Sequence, residues 1–317
     1  MTTFGLDVSR FQGPIDWTKV KAAGIEFATI KASEGSEWQT AGETRDYFRR
    51  EFPKARAVGL TVGAYHVVRS GNIPEQVAWY LRQLAAVGAN PLGIVNQIDF
   101  EKWSYDFPSY STLKSLLRAL RVATPVLPVL YTGKWIWDQL SGDPTDAESD
   151  LGVPLWDSNY GTNPNVNFKT AYPGDTSSRW RSYGGWTPSI LQYGSKTVVP
   201  GVNGGCDANA YRGSLSEFRA QFITSEDDVN LTDKVQLPQW VVDAFKDDPG
   251  VADGSILVQT ALGSGYAYGR LANAKADALQ QDLAAVKAAL AGLSTGGIDM
   301  DALAEKVADK LAQRLQD

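Results

Sequence analysis

Ile94-Val95-Asn96-Gln97-Ile98-Asp99-Phe100-Glu101 is an apolar, strand-like run that ends in two acids two residues apart. Side chains of a strand alternate faces, so Asp99 and Glu101 share one face, with Cα atoms roughly 6.5–7 Å apart. Two like charges aimed together raise each other's pKa, so one can hold a proton while the other stays ionised. Glycoside cleavage uses that division: an acid for the leaving oxygen and an anion for the oxocarbenium-like centre. Solvated charges at a strand terminus would carry the same pattern.

Working outward, strand-like runs at Phe4–Val8, Phe27–Ala32 and Thr61–Val67 precede this one, and Leu127–Thr132 follows it. Helix-like stretches lie between them: Trp17–Ala23, Glu43–Val58, Pro74–Val87, Ser109–Val122 and Lys134–Leu140. Such alternation predicts parallel strands with right-handed crossovers. Beyond residue 150 the helices are expected to stop. Three further strands are read near Pro154–Asn159, Ser189–Tyr193 and Gly204–Ala208, between Gly/Pro/Ser/Asn-rich loops. Five βα units and three bare strands predict an irregular, eight-stranded α/β barrel of the TIM-like kind. Its site belongs at the C-terminal strand ends. Asp7, Tyr65, Asp99, Glu101, Tyr131 and Asp157 all fall near such ends.

Composition narrows the chemistry. The chain has 317 residues, 43% of them hydrophobic, which is enough for a large domain plus an appendage. Its single cysteine, Cys206, excludes an intramolecular disulfide framework, and no Cys/His cluster offers a metal site. Cys206 reads as a small buried hydrophobe. A pI near 5.0 and the lack of a Lys/Arg-rich patch argue against nucleic acid. No apolar run approaches the ~20 residues of a membrane span, so no membrane insertion is expected. His66 is the only histidine and no G-x-S-x-G elbow is present, which leaves little room for Ser-His-Asp or Cys-His catalysis. A hydrogen-bonded barrel residue is the expectation for His66.

Other candidates are individually ambiguous. Asp7 precedes Ser9-Arg10-Phe11-Gln12-Gly13 and reads equally as a helix cap. Asp207, in Gly204-Gly205-Cys206-Asp207-Ala208-Asn209, reads equally as an Asx turn. Lys31 and Glu34 either pair with each other or line a site rim. Tyr65, Trp103, Tyr131, Trp156 and Tyr193 lie near strand ends, where aromatic faces suit sugar rings. Core packing explains them as well.

Taken in order, the blocks resemble glycoside hydrolase family 25, the Chalaropsis-type lysozymes common among bacteriophage endolysins. The resemblance runs over residues 4–219. Its blocks are Gly5-Leu6-Asp7-Val8-Ser9, Phe11-Gln12-Gly13, Ile15-Asp16-Trp17, Ile30-Lys31-Ala32-Ser33-Glu34-Gly35 and Gly63-Ala64-Tyr65-His66. Asp99-Phe100-Glu101, Leu130-Tyr131-Thr132, Pro154-Leu155-Trp156, Leu191-Gln192-Tyr193 and Gly205-Cys206-Asp207 complete them. The resemblance implies a (β/α)5β3 barrel that hydrolyses the β-1,4 bond between N-acetylmuramic acid and N-acetylglucosamine in bacterial peptidoglycan, without cofactor or metal. It implies Glu101 as general acid and Asp99 as the second catalytic carboxylate, either a nucleophile or, the role favoured for two side chains on one strand face, a helper of the substrate's 2-acetamido group. Asp7 and Asp207 complete the acidic site. Lys31, Tyr65, Trp103, Tyr131, Trp156, Gln192 and Tyr193 are the expected substrate contacts. Arg10, Leu191 and Asp157 depart from the family pattern, where His, Trp and an apolar residue are usual. A non-catalytic wall-binding module on the same barrel is the competing reading.

The C-terminal part is different in kind. Residues 223–317 carry 8 basic and 15 acidic side chains, a net of −7 against −6 for the whole chain, which leaves about +1 for residues 1–222. Nine of the ten tryptophans lie in residues 1–222, which read as the working domain. Residues 223–265 read as an acidic linker and 266–317 as a helical tail. In the tail Leu279, Leu283, Val286, Leu290 and Leu293 are spaced 4-3-4-3, a seam for self-association, and wall targeting is the other role considered. Met1-Thr2-Thr3-Phe4 shows no secretory signal pattern, so accumulation in a host cytoplasm before release to the wall is expected.

Overall fold

The computed structural model describes residues 1–223 except 125 and 141–143, with the backbone of Lys234–Gln236 and Ser255–Leu257. The chain divides into two units, Met1–Val258 and Gln259–Asp317. The second unit, with the expected tail and its leucine seam, lies outside the described residues. Within the stretch read as a linker, Lys234–Gln236 and Ser255–Leu257 pair antiparallel.

The first unit is built on a closed eight-stranded barrel. Its strands are β1 Thr3–Val8, β2 Ile25–Glu34, β3 Thr61–Val67, β4 Val95–Asp99, β5 Val129–Thr132, β6 Leu155–Ser158, β7 Ile190–Thr197 and β8 Cys206–Tyr211. Neighbours from β1 to β7 are parallel, and β8 runs antiparallel to both β7 and β1. The N-terminal end of β8 therefore sits at the same mouth as the C-terminal ends of the other seven.

Helices α1 Trp17–Ala22, α2 Gly42–Ala57, α3 Ile73–Ala86 and α4 Tyr110–Ala123 connect the first five strands. Polar caps start three of them: Asp16 accepts from the amide of Lys19 at α1, Asn72 from that of Glu75 at α3, and Ser109 from that of Thr112 at α4. α5 Lys134–Trp137 and α6 Ala147–Leu151 lead to β6, α7 Phe168–Ala171 precedes β7, and α8 Leu215–Phe222 follows β8. The expectation that helices stop at residue 150 is thus corrected. The four residues of α7 span about one turn, too short to show a 3.6-residue period. α8 is marked by the capping box of Ser214 and Glu217.

Strand alternation divides the core in two. Leu6, Ala28, Ile30, Ala64, Ile98, Leu130 and Leu191 face outward into the layer between sheet and helices. Phe27, Val95, Val129, Trp156 and Ile190 face inward, where Phe218 and Phe222 of α8 close the lower end. Phe27 stacks on Phe218 with ring centroids 4.3 Å apart. Gly5 makes this layer possible: a Cβ there would lie 2.2 Å from the Phe27 ring. Above this apolar floor the inward positions turn polar, and that change defines the mouth. Among the described residues no helix is long and apolar enough to cross a membrane.

Candidate active site

The last inward positions of the strands carry the acids. Asp99 is the final residue of β4 and Glu101 lies two beyond it. Phe100, between them, turns outward and is fully buried, while its amide continues the ladder to Tyr131 O at 2.9 Å. Asp99 and Glu101 are thereby held on the inner face, as the two-residue spacing requires. Asp7, on β1, lies directly opposite Asp207 on β8. The structure thus brings all four predicted acids to one mouth.

Polar side chains hold Asp7 in place. Gln192 Nε2 donates to Asp7 Oδ2 at 2.7 Å and Asn209 Nδ2 to the same oxygen at 2.8 Å. Gln192 Oε1 in turn accepts from Tyr131 at 2.7 Å and from Tyr160. Asn209 Oδ1 accepts from Trp156 Nε1 at 2.8 Å. Every amide atom in this chain has a defined role, so both amides are locked in one orientation.

The electrostatics follow from crowding. Burial pushes Asp7 up to about 6, against the opposing effect of the Asn209 and Gln192 hydrogen bonds. Burial, then the charge of Asp7, pushes Glu101 up to about 7, and the Lys31 ammonium opposes this. Asp99 is raised by burial and then by Glu101, again opposed by Lys31, and Asp207 by burial, Asp7 and Glu101. Four carboxylates in one another's field cannot all ionise, so the cluster retains protons near neutral pH. The Tyr65 hydroxyl, buried beside Asp7, Asp99 and Asp207, stays protonated for the same reasons.

The other predicted residues divide. Lys31 faces the acids and pairs with Glu34 at 2.6 Å. Its ammonium lies 5.9 Å from the centre of the half-buried Trp103 ring. Tyr65, Tyr131 and Gln192 point inward beneath the acids. Trp156 points inward but is completely buried in the apolar floor, so it supports the site through Asn209 and has no exposed face for a sugar. Tyr193 is corrected outright. It follows Gln192 on the strand and so faces outward, where its hydroxyl donates to Phe168 O at 3.0 Å. Asp157 also turns outward, to the Tyr183 hydroxyl at 2.8 Å.

Sequence reading missed Asn209 and Tyr160. Asn209 stands two residues after Asp207 and therefore on the same face, a signal that was available. Tyr160 lies in the loop after β6 and no strand parity marks it. His66 faces the helices, with Nδ1 2.8 Å from Ser33 Oγ, and burial lowers it to about 4. It is a neutral structural residue, as expected, and Cys206 is fully buried.

A closed α/β barrel with paired carboxylates at the C-terminal mouth, one of them raised to about 7, is the arrangement of an acid–base hydrolase acting on sugars. The family model for glycosyl hydrolases family 25 matches residues 6–202, and the chain belongs to that family. It is a glycoside hydrolase. Lysozyme M1 of Streptomyces globisporus is 26% identical over 228 residues, covering 68% of this chain and 70% of that protein. The bacterial lysozyme of Streptomyces coelicolor superposes with a TM-score of 0.57 at 24% identity, over 70% of this chain and 98% of that one. The catalytic domain of endolysin ply40 from bacteriophage P40 of Listeria monocytogenes shares the fold, with a TM-score of 0.52 at 18% identity over 71% and 98% of the two chains.

Proposed function

We propose that the barrel hydrolyses the β-1,4 bond between N-acetylmuramic acid and N-acetylglucosamine in bacterial peptidoglycan, as a muramidase. The observation that carries this is the meeting of Asp7, Asp99, Glu101 and Asp207 at one barrel mouth. The lysozymes among its relatives support the substrate class. Glu101 lies beyond the last residue of β4 and is more exposed than Asp99, so it is the member placed to hand a proton to the leaving oxygen. Asp99 issues from the same strand face and is poorly placed to attack from the opposite side of the bond. That favours a role in orienting the substrate's 2-acetamido group, whose oxygen attacks the anomeric carbon as the glycosidic bond breaks. Asp7 and Asp207 supply the field that keeps protons in the cluster. We read the barrel as the (β/α)5β3 variant, with only short helices after β5.

The test is release of new reducing ends from purified peptidoglycan. Glu101→Gln is expected to lose roughly 10²–10⁴-fold, and a loss below tenfold removes the role given to Glu101. Wall binding without reducing ends would favour the non-catalytic module, and new free amines alone would indicate cleavage of stem peptides. The phage endolysin neighbour supports a role in host lysis, with the enzyme made in the host cytoplasm. The leucine seam supports self-association of the tail. Light scattering on the full chain against Leu283→Asp/Leu290→Asp decides it, with equal masses ruling it out.

A further inference from the structure

A second cluster of charges stands beside the acids, where β2, β3 and the β4–α4 loop meet. Glu34 receives the Lys31 ammonium at 2.6 Å and the Tyr105 hydroxyl at 3.3 Å. Arg69, just past β3, reaches Glu34 with Nε at 3.5 Å and Asp106 with Nη1 at 3.7 Å. Its guanidinium carbon sits 4.1 Å from the centre of the Tyr105 ring. Asp106 also accepts from the amide of Ser70 at 2.8 Å and from its hydroxyl at 2.6 Å. Lys31, Glu34, Arg69 and Asp106 have side chains only 11–17% exposed and their charges sum to zero.

The loop held in this way continues directly from Glu101. Trp103 and Asp106 close its turn through paired backbone bonds of 2.8 and 3.3 Å. Trp103 and Tyr105 lie near parallel, with ring centroids 6.3 Å apart. The loop is tied to β2 and β3 by Tyr105, which donates to Glu34, and by Asp106, which accepts from Ser70, and Arg69 lies against both of these loop residues. Neither Nε nor Nη1 of Arg69 makes a hydrogen bond among the described residues. Its hold on the two carboxylates is therefore one of charge, with a planar face against Tyr105, and not a bidentate fork.

We propose that Arg69 is a positioning residue, whose charge ties the 102–108 loop to Glu34 and so fixes Trp103 and the Lys31 ammonium relative to the substrate and the acid pair. Among the described residues, losing it leaves Asp106 without its cation and Glu34 with Lys31 alone at the rim. The loop is then held by the Tyr105 and Ser70 bonds without the charge between them, and Lys31, left as the one cation on Glu34, is committed more firmly to it. Both effects act on a sugar bound at the mouth, one through the Trp103 face and the other through the charge beside Asp99 and Glu101. The proposal rests on the muramidase reading for its substrate.

The test is steady-state kinetics on soluble glycan strands from peptidoglycan, with the full chain, from pH 4 to 9. Arg69→Met keeps the bulk and removes the charge. It is expected to raise KM about tenfold and to move the alkaline limb of kcat/KM upward by about half a unit, because Lys31 then opposes Asp99 and Glu101 less. Among the described residues the groups facing Lys31 and Glu34 are Asp99, Glu101, Arg69, Tyr105 and the neutral His66, so none of these supplies another cation for the lost one. Arg69→Lys keeps the charge and is expected to hold KM within threefold of wild type. A merely space-filling residue would give the reverse order. If Arg69→Met fails to fold by circular dichroism, Arg69→Lys against Arg69→Gln carries the comparison. Unchanged KM and pH profile in a folded uncharged variant overturns the proposal. An inactive wild-type chain overturns the muramidase reading instead.

Discussion

Asp7 and Asp207 lie directly opposite each other across the antiparallel β1–β8 ladder, two carboxylates at one register position. Like charges so placed are destabilising on any sheet. Here burial adds to the effect, and the folded state accommodates both by keeping protons that the unfolded chain releases. On the proposed muramidase reading, the barrel carries this cost at the position where the chemistry would need a proton reservoir.

Stability should therefore depend on pH in a defined direction. A carboxylate raised in the folded state holds its proton more tightly there than in the unfolded chain. Its contribution favours the fold at low pH and declines as pH rises from the ordinary carboxylate range through the raised value. Asp207→Asn removes one of the opposed charges. It is expected to stabilise the fold by ~1 kcal/mol at pH 8, about 2–4 °C in Tm, and by much less at pH 4.5. Thermal melts at the two pH values check this, and a gain confined to the acid side would contradict it.

Activity should follow a bell whose alkaline side reports the proton donor. The donor is active when protonated, and Glu101 lies at about 7. Above that value kcat/KM is expected to fall tenfold per pH unit. On the acid side it falls as the remaining carboxylates take up protons. Because the acids titrate together, the two limbs belong to the cluster and not to single residues. A profile of kcat/KM from pH 4 to 9 that stays flat to pH 9 would remove the link between the cluster and proton delivery.

Gln192 joins two parts of the site, since it donates to Asp7 and accepts from Tyr131 and Tyr160. Gln192→Leu is similar in bulk but breaks all three bonds. Leaving buried polar groups unpaired costs about 1–3 kcal/mol. Asp7 also loses a donor that lowers its pKa, so it should rise further above 6. A Tm drop accompanied by an acid limb displaced to higher pH is the expected pair of results, measured by melting and by the same pH–rate profile. A Tm drop with an unmoved limb would show that Gln192 packs without tuning Asp7.

How far the sequence carried depends on the kind of signal. Most of the barrel strands were legible because they are apolar runs bounded by turn residues, and Asp99 and Glu101 because charges at the end of such a run are conspicuous. Asp7 and Asp207, ambiguous singly, are explained by a register pairing between residues 200 apart in the chain, which no local pattern encodes. The aromatics were harder, since an aromatic near a strand end fits a sugar platform and a core equally well. Strand parity decides some of them. Gln192 and Tyr193 are consecutive and cannot share a face. Trp156 has the correct parity yet sits a layer too deep, a matter of barrel height that sequence spacing leaves open. Arg69 carried no sequence signal at all, because its partners, Glu34 at the end of β2 and Tyr105 and Asp106 in the β4–α4 loop, are about 35 residues away on either side.

The parity correction is itself testable with a pair of hydroxyl deletions. Tyr193 lies outside the barrel and, among the described residues, its hydroxyl bonds only the Phe168 carbonyl, at 3.0 Å. Tyr131 lies inside and its hydroxyl bonds Gln192, one step from Asp7. Tyr193→Phe is expected to cost about 1 kcal/mol of stability, the worth of one buried hydrogen bond, and to leave kcat/KM within twofold. Tyr131→Phe frees Gln192 to turn away from Asp7 and is expected to lower kcat/KM at least tenfold for a similar stability cost. Melting curves and reducing-end kinetics on the two variants separate the effects. Equal kinetic losses in both would mean that Tyr193 reaches the substrate after all, and that the outward orientation assigned to it from β7 is wrong.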